Sequence, residues 1–172
     1  MQKSDGKAPE IVQLETDTET ALTENRQFWM SVLARSNCEE LRKYWIEHVY
    51  AKEDFSNRYS YIRQPETGLV MSRGRAGGQG RQFNLGEVTT TRCSVILDSG
   101  EIGHAYILGR DVKHAEFSAL FDAVLQIDTW QSLLLEKVIN PIHQRLAANR
   151  KEREQKVAST KVDFFAMVRG EA

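Results

Sequence analysis

Apolar residues in the first half of the chain recur at helical spacing in two short segments. The spacing predicts one helix around residues 28–33 and a second that ends near Ala51. Ser36 and Glu39 are predicted to form a capping box at the start of the second helix. The residues predicted to face inward are Phe28, Trp29, Val32 and Leu33 in the first helix, and Leu41, Trp45 and Val49 in the second.

From Tyr59 onward the apolar period changes to that of strands. The pattern predicts a strand at residues 69–73, a longer one at 87–97 and a third at 102–108, with a turn at Asp98-Ser99-Gly100. Alternation divides the middle strand into two faces. One face carries Thr91, Cys93, Val95 and Leu97, and the other carries Thr90, Arg92, Ser94 and Ile96. We therefore expect a curled antiparallel meander with one face covered by helices.

Helical spacing returns after the third strand. Asp111 is predicted to cap a helix whose inward stripe is Phe117, Leu120, Phe121 and Val124. Asp128 and Gln131 are predicted to box the start of another helix, and Asn140-Pro141 either kinks that helix or starts a new one. The predicted class is α+β: a small antiparallel β-meander flanked by N-terminal and C-terminal helices, with a C-terminal docking tail.

Three regions follow along the chain. Residues 1–22 are polar and acidic with no apolar period, which predicts a flexible arm. Residues 23–155 form the predicted single domain, and residues 156–172 the predicted tail. The tail returns to apolar side chains after a charged helix, so it is expected to dock into a groove on a partner or on the domain itself, and we favour a partner. Its predicted docking residues are Phe164, Phe165, Met167 and Val168.

Composition bears on the cellular location of the protein and on its binding to nucleic acid or membrane, but it does not identify a function. The 172 residues carry 23 basic and 24 acidic side chains, a net charge of −1, which does not suit general nucleic-acid binding. Two cysteines cannot build a disulfide framework, and no apolar run approaches the roughly 18 residues that span a bilayer. We expect a reduced, cytoplasmic protein that binds neither membrane nor nucleic acid.

Charge is unevenly placed along the chain. Residues 1–24 hold two lysines against six carboxylates, a net charge of −4, whereas residues 63–92 hold five arginines against two glutamates, a net charge of +3. The positive excess falls on a glycine-rich loop between two strands. Glycine lets backbone N–H groups approach a ligand, and guanidinium groups match phosphate and phosphonate oxygens. The predicted anion contacts are Arg73, Arg75, Gly77, Gly78, Gly80, Arg81 and Arg92.

Other interpretations of this loop stay open. It lacks the Gly-Lys-Ser/Thr of a P-loop and the glycine spacing of the dinucleotide fingerprint. A solvated hairpin loop fits it as well as an anion site, and a single Arg-Gly stretch is a weak signal for RNA binding. Glu66 and Glu87 flank the loop and could steer a base or a water, but we interpret them as balancing neighbouring arginines.

No residue set in the sequence forms a complete catalytic constellation. His104 and His114 are candidates for proton transfer, although a hydrogen-bonded position at the edge of the core is the more common role for such a histidine. Cys93 is interpreted as a small buried apolar residue, and its spacing from the two histidines matches no zinc site. The sequence therefore predicts no catalytic residue and no metal ligand in this chain.

Three separated strings carry a resemblance to a known family. They are RQPETGLVMSRGRAGGQGRQFNLGEVTTTRCSV, GHAYILGRDVKHAEFSALFDAVLQ and TKVDFFAMVRG, within a match from about Arg26 to Gly170. Together they resemble the PhnG subunits of the bacterial carbon–phosphorus lyase pathway. The resemblance implies a subunit that works with PhnI and PhnH, helped by PhnL, to displace adenine from ATP with an alkylphosphonate. The implied product is α-D-ribose 1-alkylphosphonate 5-triphosphate.

The resemblance also implies where the chemistry is done. PhnG joins PhnH, PhnI and PhnJ in a core complex, the iron–sulfur cluster and S-adenosylmethionine belong to PhnJ, and the nucleosidase-like step is credited to PhnI. This chain is therefore expected to act as part of a transferase, without cofactor and without catalysis of its own. The chain is expected mainly to scaffold the complex and, through the arginine loop, to complete a shared anion site at a subunit boundary. The alternative is a purely structural subunit with no ligand contact. An RNA-binding module is a third, weaker one.

Overall fold

The computed structural model describes residues 23–52 and 58–159 of the chain. The predicted acidic arm and the predicted docking residues Phe164, Phe165, Met167 and Val168 lie outside these ranges. Within them, helices and one antiparallel sheet form a mixed architecture, which confirms the predicted α+β class.

Helices precede and follow the sheet in the chain. Before it lie α1 (residues 23–33) and α2 (Cys38–Tyr44), which continues as a π-helical turn over Trp45–Tyr50. The strands are β1 (Tyr59–Arg75), β2 (Gln82–Leu97) and β3 (Ile102–Leu108), with a 3₁₀ turn at Ala76–Gly78. After the sheet lie α3 (Val112–Val124), α4 (Asp128–Leu134), a π-helical turn over Leu135–Ile139 and α5 (Asn140–Ser159).

The sheet has the order β1-β2-β3 and is antiparallel throughout. Its inner face packs on α3, and the predicted alternation of β2 is confirmed because Thr91, Cys93, Val95 and Leu97 are all buried. Gly103 allows the close approach of α3, since a Cβ there would lie 1.9 Å from the backbone oxygen of Ala119. The opposite, outer face is not buried in this way, and its residues on β2 and β3 are partly or fully exposed.

Two predicted helix starts differ from the structure. The N-cap of α2 is Asn37, whose side chain accepts from the Glu39 amide, while the Ser36 hydroxyl donates to the Leu33 carbonyl. The predicted box of Asp128 and Gln131 is also wrong, because the N-cap of α4 is Ile127. The predicted cap at Asp111 is confirmed, since its carboxylate accepts from the His114 amide at 2.9 Å.

Asn140-Pro141 starts a new helical segment, as one of the two predicted alternatives had it. The π-helical turn at Leu135–Ile139 comes directly before Asn140, and α5 runs from Asn140 to Ser159 with Pro141 in its first turn. Proline has no backbone N–H and its ring crowds the preceding turn, and a wider π turn accommodates both defects.

A projecting hairpin arm as the candidate functional site

The distal half of the β1–β2 hairpin, residues 68–89, projects from the body and is named here the arm. None of its residues is buried. Register pairs Gly68 with Thr90 at its base and Arg75 with Gln82 next to the tip, so the arm extends about 25 Å. The sequence predicted much shorter strands here, at 69–73 and from 87. The predicted glycine loop is thus mostly strand, and only residues 76–81 form its turn.

Glycines shape the tip. Gly77 and Gly78 adopt positive φ values of 59° and 79°, which side-chain-bearing residues rarely adopt. A Cβ at Gly80 would lie 2.7 Å from the Ala76 carbonyl oxygen, and that same oxygen accepts from the Gly80 amide at 2.9 Å. These glycines therefore serve the turn itself, and the Gly80 N–H is already used within it.

The arginines of the arm differ in whether they form hydrogen bonds within the described residues. Arg75 Nη1 donates to the Gly80 carbonyl at 3.2 Å and braces the turn. Arg73 and Arg81 have no hydrogen-bond or ion-pair partner within the described residues. Register places the Arg73 and Arg75 side chains on one side of the ribbon, next to the turn that leads to Arg81. Two guanidinium groups near the tip are thus available to an external anion.

Apolar side chains cover both sides of the arm. Leu69 and Met71 lie on the side that also carries Arg73, and they are 63% and 48% exposed. On the other side, Phe83 pairs with Gly74, and the Leu85 side chain lies over that glycine. A bare two-stranded ribbon is at best marginally stable in water, and such exposed apolar surface marks an interaction site.

Arg92 does not belong to the tip. It lies on the outer face, ten residues along β2 from Gln82 and therefore about 33 Å from the end of the strand. Its Nε donates to Glu66 at 2.7 Å, and Glu66 also accepts from Arg63 at 2.7 Å. Hydrogen bonds from Arg63 and Arg92 lower the pKa of the Glu66 carboxyl. The interpretation that the two glutamates balance neighbouring arginines is confirmed for Glu66, whereas the structure shows no arginine contact of Glu87 among the described residues.

The two candidate histidines lie on opposite sides of the sheet. His104 is on the outer face, where its Nδ1 is 2.9 Å from the Ser94 hydroxyl. His114 is buried in α3, and its Nε2 lies 2.9 Å from the Leu33 carbonyl and 3.1 Å from the Ser36 hydroxyl. The fold brings neither histidine to the arm tip, and their surroundings fit structural hydrogen bonding.

Cys93 lies on the inner face of β2, opposite to the face that carries His104. It is 1% exposed, and burial raises the pKa of its thiol to about 11, as expected for a buried apolar residue. In the described ranges no three side chains of histidine, cysteine, aspartate or glutamate group as metal ligands.

Asp122 is a residue that the sequence analysis missed. Its fully buried carboxylate accepts from Arg26 (3.2 and 2.8 Å), from Trp29 Nε1 (2.8 Å) and from the His104 backbone N–H (2.8 Å). It thereby joins α1, α3 and the edge of β3. The available signal was an aspartate inside the apolar run Leu120–Leu125, a position where a charge needs a partner.

Three concavities lie on the body. One of about 220 Å³ separates α1 from β3, a second lies beside Arg58 and Trp130, and a third lies between Arg35 and α5. The arm tip lines none of these three. Among the helices described, none combines the length and the apolar character that crossing a membrane requires.

Comparison with known proteins gives two findings. A family model described as phosphonate metabolism protein PhnG matches residues 24–170. The chain is also 40% identical over 146 residues to the α-D-ribose 1-methylphosphonate 5-triphosphate synthase subunit PhnG of Rhizobium meliloti (strain 1021), covering 85% of this chain and 90% of the relative. Both findings confirm the resemblance carried by the arm, by the β3–α3 segment and by the C-terminal string. The chain belongs to the PhnG family of phosphonate metabolism proteins.

Proposed function

We propose that this chain is the PhnG subunit of an α-D-ribose 1-methylphosphonate 5-triphosphate synthase, in which it holds a partner subunit and completes an anion site with it. The name of the Rhizobium meliloti relative supports the activity, since that protein is called a subunit of this synthase. The expected substrates of the assembly are ATP and an alkylphosphonate. The expected partners are PhnI, PhnH and PhnJ, with PhnL required for activity.

The arm carries this proposal. None of its residues is buried, and apolar side chains such as Leu69 and Leu85 cover opposite sides of the ribbon. A ribbon that is apolar on both sides is suited to a cleft that encloses it, because a flat contact would leave one side in water. We assign that cleft to PhnI, the subunit credited with the adenine-displacing step.

The reaction itself defines what the arm tip could contribute. A phosphonate oxygen forms a bond to C1′ of ATP, the C1′–N9 bond breaks, and adenine leaves with the electron pair and takes up a proton. The triphosphate and the phosphonate bring several negative charges close together, so cations that fix them favour the reaction through positioning and electrostatics. Arg73 and Arg81 are the tip cations without a partner among the described residues.

Catalysis is assigned to the partner. His104 and His114 lie far along the sheet from the tip, and the His114 ring is engaged by the Leu33 carbonyl. The ionisable side chains near the tip are arginines, which do not give up a proton near neutral pH and so cannot act as the general acid. The chain is thus proposed to bind and position, with the bond-making groups on PhnI.

A purely structural subunit is the second candidate, and the apolar surface of the arm by itself favours it. The two functions differ in what the arginines do after assembly. In the structural alternative, Arg73 and Arg81 only adjust the affinity between subunits. In the shared-site proposal they contact ligand in the assembled enzyme.

Adenine release by the reconstituted synthase separates the two candidates. We compare the Arg73→Ala/Arg81→Ala chain with a Lys151→Ala/Arg153→Ala control, which removes the same charge from exposed positions on α5. Charge-assisted hydrogen bonds contribute about 1.5–3 kcal/mol each, so losing them raises the KM for ATP or phosphonate by roughly tenfold or more. Assembly, measured by size-exclusion chromatography, should be unchanged. A wild-type KM in a fully assembled variant would leave only the structural role.

A further inference from the structure

Polar side chains from all three strands meet on the outer face of the sheet, away from the arm. They occupy two adjacent rows of the strand register and are named here the outer-face cluster. Cross-strand neighbours lie about 5 Å apart and the two rows about 7 Å apart, so the cluster covers an area of about 10 Å by 7 Å. The first row is Arg63, Ser94 and His104, and the second is Glu66, Arg92 and Tyr106.

A break in the strand register brings Arg63 and Glu66 to the same face. Residues three apart in a regular strand point to opposite faces. The pairing of β1 with β2 is irregular between Tyr61 and Arg63 and again between Arg63 and Glu66. Regular pairing would have turned one of these two charges toward the core. Irregularities of this kind often redirect side chains beside functional sites.

Glu66 holds the two arginines of the cluster together. Its Oε1 accepts from Arg63 Nη1 and from Arg92 Nε, each at 2.7 Å. A guanidinium carries five N–H groups, so the shared oxygen uses one donor of each arginine. The Arg63 and Arg92 side chains are 45% and 44% exposed, which places both within reach of a dissolved anion. Two positive charges against one negative charge leave the three groups with a net charge of +1.

His104 adds a donor from the neighbouring row. Its Nδ1 lies 2.9 Å from the Ser94 hydroxyl, and this contact orients the imidazole ring. When the hydroxyl donates to Nδ1, a neutral ring carries its proton on Nε2, which can then donate to an oxyanion. His104 is itself exposed. In the second row, Tyr106 shares a hydrogen bond with Arg92 and helps to fix that side chain.

We propose that the outer-face cluster binds a phosphate group, either as free phosphate or as part of a phosphomonoester. Arg63, Arg92 and His104 donate to the phosphate oxygens. Guanidinium groups suit this ligand because their N–H donors match the spacing of phosphate oxygens. Ser94 and Glu66 position the donors, and the charge of Glu66 opposes the ligand.

Turning the arginines toward a ligand costs little. Their ion pairs with Glu66 are about half exposed, and exposed ion pairs contribute little to stability. A phosphate dianion carries more charge than a carboxylate and accepts charge-assisted hydrogen bonds from the same groups. Because the cluster is exposed, dissolved salt screens the interaction, and binding is expected to weaken as the ionic strength rises.

The outer-face cluster is separate from the tip of the arm. Arg92 was predicted to contact an anion together with the tip residues, but it lies about 33 Å along β2 from Gln82. The cluster gives Arg92 an anion-binding role at another place on the sheet. The inference therefore does not depend on the proposed function of the arm, and the Arg73→Ala/Arg81→Ala chain retains the whole cluster.

A titration of the full chain followed by NMR tests the proposal. Inorganic phosphate and glycerol phosphate are added separately near neutral pH and at constant low ionic strength, with sodium chloride as the balancing salt. We expect saturable shifts of the His104 ring and of the backbone amides of Arg92, Cys93 and Ser94. Equal affinities would identify the phosphate group alone as the ligand, whereas tighter binding of the ester would indicate a larger phosphorylated molecule.

Two variants should change the affinity in opposite directions. Arg63→Gln/Arg92→Gln should weaken phosphate binding at least tenfold, because it removes charge-assisted hydrogen bonds. Glu66→Gln should tighten binding roughly twofold to fivefold, because it removes the opposing charge and keeps the shape of the side chain. Lys151→Ala/Arg153→Ala, which removes the same charge as the arginine variant, should bind like the wild type. Misfolding does not increase affinity, so Glu66→Gln separates a binding role from a structural one.

Any of four results would overturn the proposal. The first is a set of shifts at His104 that does not saturate or that chloride alone reproduces. The second is a set of shifts confined to the arm tip. The third is wild-type affinity in Arg63→Gln/Arg92→Gln, and the fourth is weaker binding in Glu66→Gln.

Discussion

Replacing Asp122 with alanine should destabilise the fold more than any other single loss of a carboxylate in the described part of the chain. The Asp122 side chain is fully buried and accepts four hydrogen bonds, from Arg26 (two), Trp29 and His104. These bonds tie α1 to α3 and to the edge of β3. Their loss affects three elements at once.

The size of the effect follows from what remains behind. Alanine leaves the indole N–H of Trp29 and the backbone N–H of His104 without acceptors, at about 1–3 kcal/mol for each buried group. The Arg26 side chain is 33% exposed and regains part of its hydration. Removing one partner of a buried ion pair typically costs about 3–5 kcal/mol, and we expect a loss in that range. That loss is a large fraction of the roughly 5–15 kcal/mol that stabilises a typical domain.

Urea unfolding followed by tryptophan fluorescence measures this loss. With a slope of about 2 kcal/mol per molar urea, the midpoint should fall by roughly 1.5–2.5 M. Glu152→Ala is the control, because it removes a carboxylate whose bond to Lys156 is exposed on α5, and such a pair contributes about 0.3–0.5 kcal/mol. A midpoint shift for Asp122→Ala no larger than that of the control would refute the assigned role.

Two further predictions concern packing and pH. Gly103→Ala should lower the melting temperature strongly in a circular-dichroism scan, because its Cβ would meet the Ala119 oxygen at 1.9 Å, whereas Gly68→Ala meets nothing within 4 Å and should have little effect. Burial pushes the pKa of Glu116 upward, but hydrogen bonds from Lys113, Tyr61 and Tyr59 outweigh it, so the folded pKa lies below the usual value. This stabilisation is present above the unfolded pKa and is lost as the pH falls through the folded one. In the Glu116→Gln variant, the free energy of unfolding should therefore fall less steeply below about pH 4.5 than in the wild type. The same steepness in both proteins would contradict this prediction.

Local sequence signals predicted the body of the fold well. The alternation of β2 predicted its buried face correctly because one side of that strand packs on the core and the other side is partly exposed to solvent. Asp111 was identified as a cap because capping depends on neighbours within one turn. At α2 the same rule chose Ser36 over Asn37, since both residues are good caps and only the backbone geometry decides between them.

The arm shows where the same signals fail. Leu69, Val70 and Met71 are consecutive apolar residues, and all three are exposed. They break the alternation of apolar and polar residues because neither side of the ribbon packs on the core. The strands were consequently predicted too short, and Arg92 was grouped with tip residues about 33 Å away. Asp122 was missed for another reason, because Arg26 is 96 positions away in the sequence and no local pattern joins them.

The measurement that bears most directly on the central claim is the adenine-release rate of the assembled synthase across a range of ATP concentrations. With Arg73→Ala/Arg81→Ala, we predict a complex of normal size whose KM is raised roughly tenfold or more, while the α5 control behaves as wild type. An assembled variant with wild-type kinetics at every ATP and phosphonate concentration would contradict a role for the arm tip in binding anions.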